Sequence, residues 1–206
     1  ATTLLITCFL VVVIFRPSFY EKRQLQLEGG SIAYKVAGEG EVVVLLHGFA
    51  SMDYLWELTG LFGRLANDFR VVSYDARGHG DSLKPDNSDS YAMYMVSDWA
   101  ALLDQLGIEK AYLVGHSMGG LTALKFASMY PERALGVVSL GIGWLPDGPF
   151  AKQLFGSKYK VAYTNALKAS FPTLIELLVT DEEIEALRVP YTAIIGTEDR
   201  NYESTI

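Results

Sequence analysis

Cysteine occurs once in this chain of 206 residues, at Cys8, which excludes an internal disulfide framework and any multi-cysteine metal site. Histidine is nearly as scarce. His47, His79 and His116 must supply all the imidazole chemistry available to the protein. Dense Lys/Arg blocks are also missing, and 24 acidic residues face 17 basic ones for a net charge of −7. Neutralising phosphates requires clustered cations, so no nucleic-acid partner is expected. Charged residues make up only 20% and apolar ones 50%, a balance that supports a buried core rather than disorder. The length suits one domain, and neither a metal nor an organic cofactor is expected.

The first residue is Ala1 rather than Met, and residues 1–15 carry no charge before Arg16 and Pro17 stop the run. This apolar stretch is shorter than the ~17–25 residues that cross a bilayer as a helix. A few further residues upstream would close that gap, and no small-x-small cleavage site follows. Residues 1–16 are therefore expected to be an uncleaved anchor, giving a membrane-anchored protein whose side the sequence leaves open. The alternatives are a cleaved signal, giving a secreted or periplasmic protein, and a buried strand or helix.

From residue 17 onward the chain alternates between two kinds of segment. Residues 24–28 and 31–36 flank Gly29-Gly30 as a hairpin. Short apolar runs at 41–46, 70–74, 111–115, 135–140 and 191–195 read as strands covered on both faces. Met95, Trp99, Leu102 and Leu106 fall at helical spacing ahead of Gly107, and Leu121, Leu124 and Met129 form a second stripe closed by Pro131. Thr180 and Glu183 have the spacing of a capping box. The alternation predicts an α/β fold, a mostly parallel doubly wound sheet with helices on both faces and functional residues at the carboxyl ends of the strands.

Three motifs fall at those ends. Gly115-His116-Ser117-Met118-Gly119-Gly120 follows one strand and opens a helix, the context of a nucleophile elbow. A serine on so sharp a turn exposes its hydroxyl, and the glycines two residues to either side remove side chains that would collide. His47-Gly48-Phe49 ends an earlier strand, where the Phe49 N–H can join that of Met118 as an oxyanion hole. Asp75-Ala76-Arg77-Gly78-His79-Gly80-Asp81-Ser82 follows the next strand and reads as structural, with Asp75, Arg77 and His79 bonding nearby backbone.

In order and spacing these motifs resemble the α/β-hydrolase fold, in its broad esterase, lipase and peroxidase-like branch, from about Gln24 onward. The resemblance implies Ser117 as nucleophile, with Phe49 and Met118 supplying the oxyanion N–H groups. It also implies an acid in the loop after the penultimate strand, which falls on Asp199, with Glu198 and Asp147 as reserves. Dehalogenases and epoxide hydrolases of the family carry Asp at the elbow, so Ser117 argues against both. Residues 141–187, between two strands, correspond to the family's cap and carry Trp144, Phe150, Phe155, Tyr159, Tyr163 and Phe171. Their composition suits an apolar acyl or aryl pocket or simple packing on the sheet. Lys152, Lys158, Lys160 and Lys168 read as a solvated face.

A serine hydroxyl needs a base, and a triad needs imidazole between serine and acid. His47 and His79 belong to their loops, and His116, adjacent to Ser117 in sequence, points away from it. In the family the base lies one helix and one strand past the acid, about 25 residues on by ordinary element lengths. The expectation is therefore a serine hydrolase of small, apolar ester-type substrates. The same expectation puts its base and final strand beyond this chain, which by itself is expected to show little or no hydrolysis. A pseudo-hydrolase that binds a small apolar ligand and an anchored interaction module are the alternatives.

Overall fold

The protein is described by a computed structural model over residues 19–145 and 164–197. Its strands are β1 (Arg23–Leu27), β2 (Gly30–Ala37), β3 (Val42–Leu46), β4 (Arg70–Tyr74), β5 (Ala111–His116), β6 (Ala134–Leu140) and β7 (Tyr191–Ile194). They form one sheet in the order β1-β2-β4-β3-β5-β6-β7. β1, β2 and β4 pair antiparallel, while β4, β3, β5, β6 and β7 run parallel, as the α/β reading expects. The chain passes from β3 to β4 on one side and then crosses to β5 on the other. The carboxyl end of β3 is thus a topological switch point, where α/β sheets open a crevice.

Side chains of β3 alternate between two cores. Val44 and Leu46 join the cluster built on helices α3 (Met93–Gln105) and α4 (Met118–Met129). Val43 and Leu45 join Trp56 of α1 (Tyr54–Leu58) and Phe62 of α2 (Leu61–Leu65) on the opposite face. A strand with both faces buried needs an unbroken apolar run, which is what β3 has. Helix α3 buries Met95, Trp99 and Leu102 as the spacing predicts. In α4 the expected stripe is corrected: Met129 is 43% exposed, and Phe126 is the residue that turns into the core. Helices α1 and α2 escaped the sequence reading because Gly60, at φ 74°, divides them into pieces too short to show a stripe.

Between β6 and β7, helix α5 (Asn165–Ser170) runs into a 3-10 turn over Phe171–Leu177, followed by α6 (Asp181–Glu185). The capping box is present in full. The Glu183 N–H donates to Thr180 Oγ1 at 3.2 Å, and the Thr180 N–H donates to Glu183 Oε2 at 2.8 Å.

The membrane-anchored localisation is corrected. Among the described residues no helix is long and apolar enough to cross a membrane. Residues 1–18, on which the anchor and signal expectations rested, lie outside the described residues.

Candidate active site at the switch point

Ser117 sits between β5 and α4 with φ 49° and ψ −116°, one of three described non-glycine residues at positive φ. L-residues rarely adopt this conformation, and it persists only where the surroundings enforce it. The Ser117 N–H donates to the Leu140 carbonyl at the end of β6 (2.9 Å), while its own carbonyl accepts from Gly120 and Leu121 to begin α4. A Cβ at Gly115 would lie 2.2 Å from the Gly119 carbonyl oxygen, and one at Gly119 would lie 2.1 Å from that of Leu46. Neither position has room for a side chain, and the second contact shows why the elbow and the end of β3 can meet.

The loop after β3 lies against the elbow. A Cβ on Gly48 would sit 2.7 Å from the His116 Nδ1. Met118 is the first residue of α4, so its N–H has no acceptor within the helix. Phe49 stacks edge-on against Phe171 of the 3-10 turn, with ring centroids 5.1 Å apart. Trp144 donates from Nε1 to the Val179 carbonyl at 3.0 Å, and Leu174 and Leu177 are buried in the main core. Lys168 is exposed.

Two of the three histidines are committed to backbone. His47 Nε2 accepts the Ala76 N–H at 3.0 Å, which leaves the proton on Nδ1 to bond the Gly48 carbonyl at 2.8 Å. His79 Nε2 accepts the Ala50 N–H at 3.1 Å, and its Nδ1–H donates to the Arg77 carbonyl at 3.0 Å. Both rings must be neutral to accept. Burial lowers the His47 pKa, and burial together with the neighbouring His47 ring brings that of His79 down to about 4. The His116 ring lies beside Gly48 and Gly141, and burial lowers its pKa too.

The loop after β4 bonds its neighbours as the sequence suggests. Asp75 accepts the N–H groups of Asp53 (2.8 Å) and Asp81 (2.9 Å). Burial pushes its carboxyl up, but those two bonds and the Lys22 ammonium outweigh it and bring the pKa down to about 2. Gly80, at φ 46°, has no room for a Cβ against this carboxylate. Arg77 grips Asp98 in a buried two-point pair, at 2.7 and 2.6 Å, as well as the Ser90 carbonyl.

Sequence reasoning missed one cluster. Lys35, 1% exposed, pairs with Asp53 at 3.0 Å and with Glu57, and Lys22 bridges Asp53, Asp75 and Asp81. Burial and the neighbouring Asp75 raise the Asp53 pKa against the pull of the lysines. The one available signal was Lys35 itself, an isolated charge in an otherwise apolar stretch of strand.

Asp199, Glu198 and Asp147 lie outside the described residues, as do Phe150, Phe155, Tyr159, Tyr163, Lys152, Lys158 and Lys160.

A parallel sheet with a strained serine at its switch point defines the class, and the chain belongs to the alpha/beta hydrolase fold family, whose family model matches residues 41–182. Among similar proteins, an epoxide hydrolase of Siraitia grosvenorii, "Epoxide hydrolase 3", is 39% identical over 113 residues, covering 54% of this chain and 35% of the relative. A fluoroacetate dehalogenase of a Burkholderia species is 35% identical over 127 residues, covering 60% of this chain and 41% of that one. The crystal structure of an epoxide hydrolase from Vigna radiata superposes with a TM-score of 0.60 at 32% identity, over 68% of this chain and 48% of that one. The chain thus spans less than half the length of each of these proteins.

Proposed function

We propose that Ser117 is the nucleophile of a serine hydrolase that acts on small, apolar ester-type substrates through an acyl-serine intermediate. The observation that carries this reading is the serine's strained turn at the switch point, with Gly115 and Gly119 packed against backbone on either side. Ser117 Oγ attacks the ester carbonyl carbon. The developing oxyanion takes hydrogen bonds from the Phe49 and Met118 N–H groups, each donor of this kind contributing ~2.7–4 kcal/mol to transition-state stabilisation. The C–O bond to the alcohol breaks, the alcohol leaves with a proton, and water then releases the acid from Ser117. Asp199 is the proposed acid partner, and residues 141–187 the cap, with Phe49 and Phe171 forming an apolar wall that suits an acyl or aryl group.

The relatives' names suggest epoxide opening or dehalogenation as a second reading. Ser117 stands against it, because the members of the fold that open epoxides or remove halides use a carboxylate at the elbow. His47 and His79 are held by backbone and His116 is taken to point away from Ser117, so on this reading the 206-residue chain hydrolyses esters slowly, retaining only what the oxyanion hole and binding supply. A non-catalytic ligand-binding role rests on the same observation.

The test is turnover of para-nitrophenyl esters of graded acyl length by this chain, with and without added imidazole as an external base. The reading expects turnover near background alone, and an imidazole-dependent gain, over the imidazole blank, that Ser117→Ala abolishes. An equal gain in the Ser117→Ala protein would overturn it. Imidazole-independent turnover that matches a complete homologue and requires Ser117 would overturn the claim that the base is missing.

A further inference from the structure

Three side-chain acceptors join the loop after β3 to the loop after β4. The Ala76 N–H donates to His47 Nε2, the Ala50 N–H to His79 Nε2, and the Asp53 N–H to Asp75 Oδ1, at 3.0, 3.1 and 2.8 Å. The middle contact adjoins the proposed oxyanion donor. Ala50 has φ 55°, a conformation that alanine does not hold without an external constraint. The His79 ring also meets the Phe49 ring edge-on, with centroids 5.6 Å apart and planes at 82°. Phe49 in turn stacks on Phe171. One imidazole therefore holds both the main chain after Phe49 and the Phe49 side chain.

We infer that His79 is a positioning residue: its neutral, Nδ1-protonated imidazole fixes the peptide after Phe49 by accepting the Ala50 N–H, and so sets the direction in which the Phe49 N–H points. This rests on the reading of Phe49 as an oxyanion donor, although the contacts themselves do not involve Ser117. The His79 ring cannot be replaced by a cation, because a protonated Nε2 would confront the Ala50 N–H donor with a second donor. Burial, the His47 ring 5.1 Å away and the Lys84 ammonium hold it neutral, outweighing the Asp75 carboxylate and the Arg77 carbonyl, which favour a proton; the Arg77 carbonyl also fixes the tautomer. Titration should accordingly occur well below the ordinary histidine range.

The experiment is amide hydrogen exchange at Ala50, read against Val44 in the core of β3, in the 206-residue chain and in His79→Gln and His79→Leu, from neutral pH to pH 3. Glutamine can place an amide oxygen where Nε2 sits, and leucine cannot accept. Exchange at Ala50 is expected to rise about tenfold in His79→Leu, the worth of one hydrogen bond, with Val44 unchanged, and to return to the parent rate in His79→Gln. In the parent, Ala50 protection should be lost with the same midpoint as the His79 imidazole 15N titration, and at neutral pH Nδ1 should be the protonated nitrogen. Equal exchange in all three proteins, a proton on Nε2 at neutral pH, or a rise at Val44 as large as that at Ala50 would overturn the inference. Should His79→Leu not fold, the His79→Gln comparison and the parent titration decide it alone. Failure of the serine-hydrolase reading would leave these exchange results intact, and failure here would leave acylation of Ser117 intact.

Discussion

At the scale of single residues, the elbow is a steric solution. Gly119→Ala would push a methyl against the Leu46 and His47 carbonyl oxygens, which are backbone atoms with no rotamer to yield. Overpacking of this kind costs ~1–3 kcal/mol or more, so urea unfolding of Gly119→Ala should shift to lower concentration, with Ser117→Ala close to the parent. These constraints were legible in the sequence because they are local: Gly-x-Ser-x-Gly lies within five residues. The Lys35 cluster was not, since Lys35, Asp53 and Glu57 each look like a surface charge until β2, the loop after β3 and α1 bring them together. Lys35→Met would leave Asp53 and Glu57 without their buried cation, a loss of ~3–5 kcal/mol for a broken buried pair. Thermal melting should fall by roughly 6–20 degrees relative to an exposed-lysine control such as Lys168→Met. A melting temperature equal to that of the control would show the cluster to be dispensable.

At the scale of elements, the strands followed from pattern, most directly in β3, which is covered on both faces and is continuously apolar. β5 and β7, also expected to be covered on both faces, are not: β5 leaves Tyr112 and His116 exposed, and β7 leaves most of its residues exposed. Helix α6 followed from its cap. Thr180→Ala removes one half of a complete capping box and should lower stability by about 1 kcal/mol, measured as a shift in urea midpoint without a change in slope. A larger loss would mean that α6 also supports the packing of Lys125, which pairs with Glu183 at 2.7 Å. Where the sequence reading failed at this scale the reason is geometric. The Met129 position sits at the last turn of α4, past the point where the helix face turns to solvent, and Gly60 divides α1 from α2.

At the scale of the whole molecule, the two loops over the switch point, joined through His47, His79 and Asp75, make the fold acid-sensitive. His79 has a folded pKa of about 4, below its ordinary 6.5, so the unfolded chain takes up its proton first. Its contribution is intact above pH 6.5 and is lost as the pH falls from there to about 4. Asp75, lowered from 3.8 to about 2, adds stability above pH 3.8 that disappears between 3.8 and about 2. Unfolding midpoints should therefore decline in two steps on acidification, and His79→Gln should make the upper one shallower without removing it, because His47 and His116 also have lowered pKa values; a flat profile between pH 6.5 and 4 would contradict this. The central claim is that Ser117 carries the chemistry. It is tested most directly by peptide-resolved mass spectrometry of the chain after exposure to a para-nitrophenyl ester with imidazole. The account predicts one acyl group on the peptide containing Ser117, absent from Ser117→Ala. Acylation spread over surface lysines with Ser117 unmodified would contradict it.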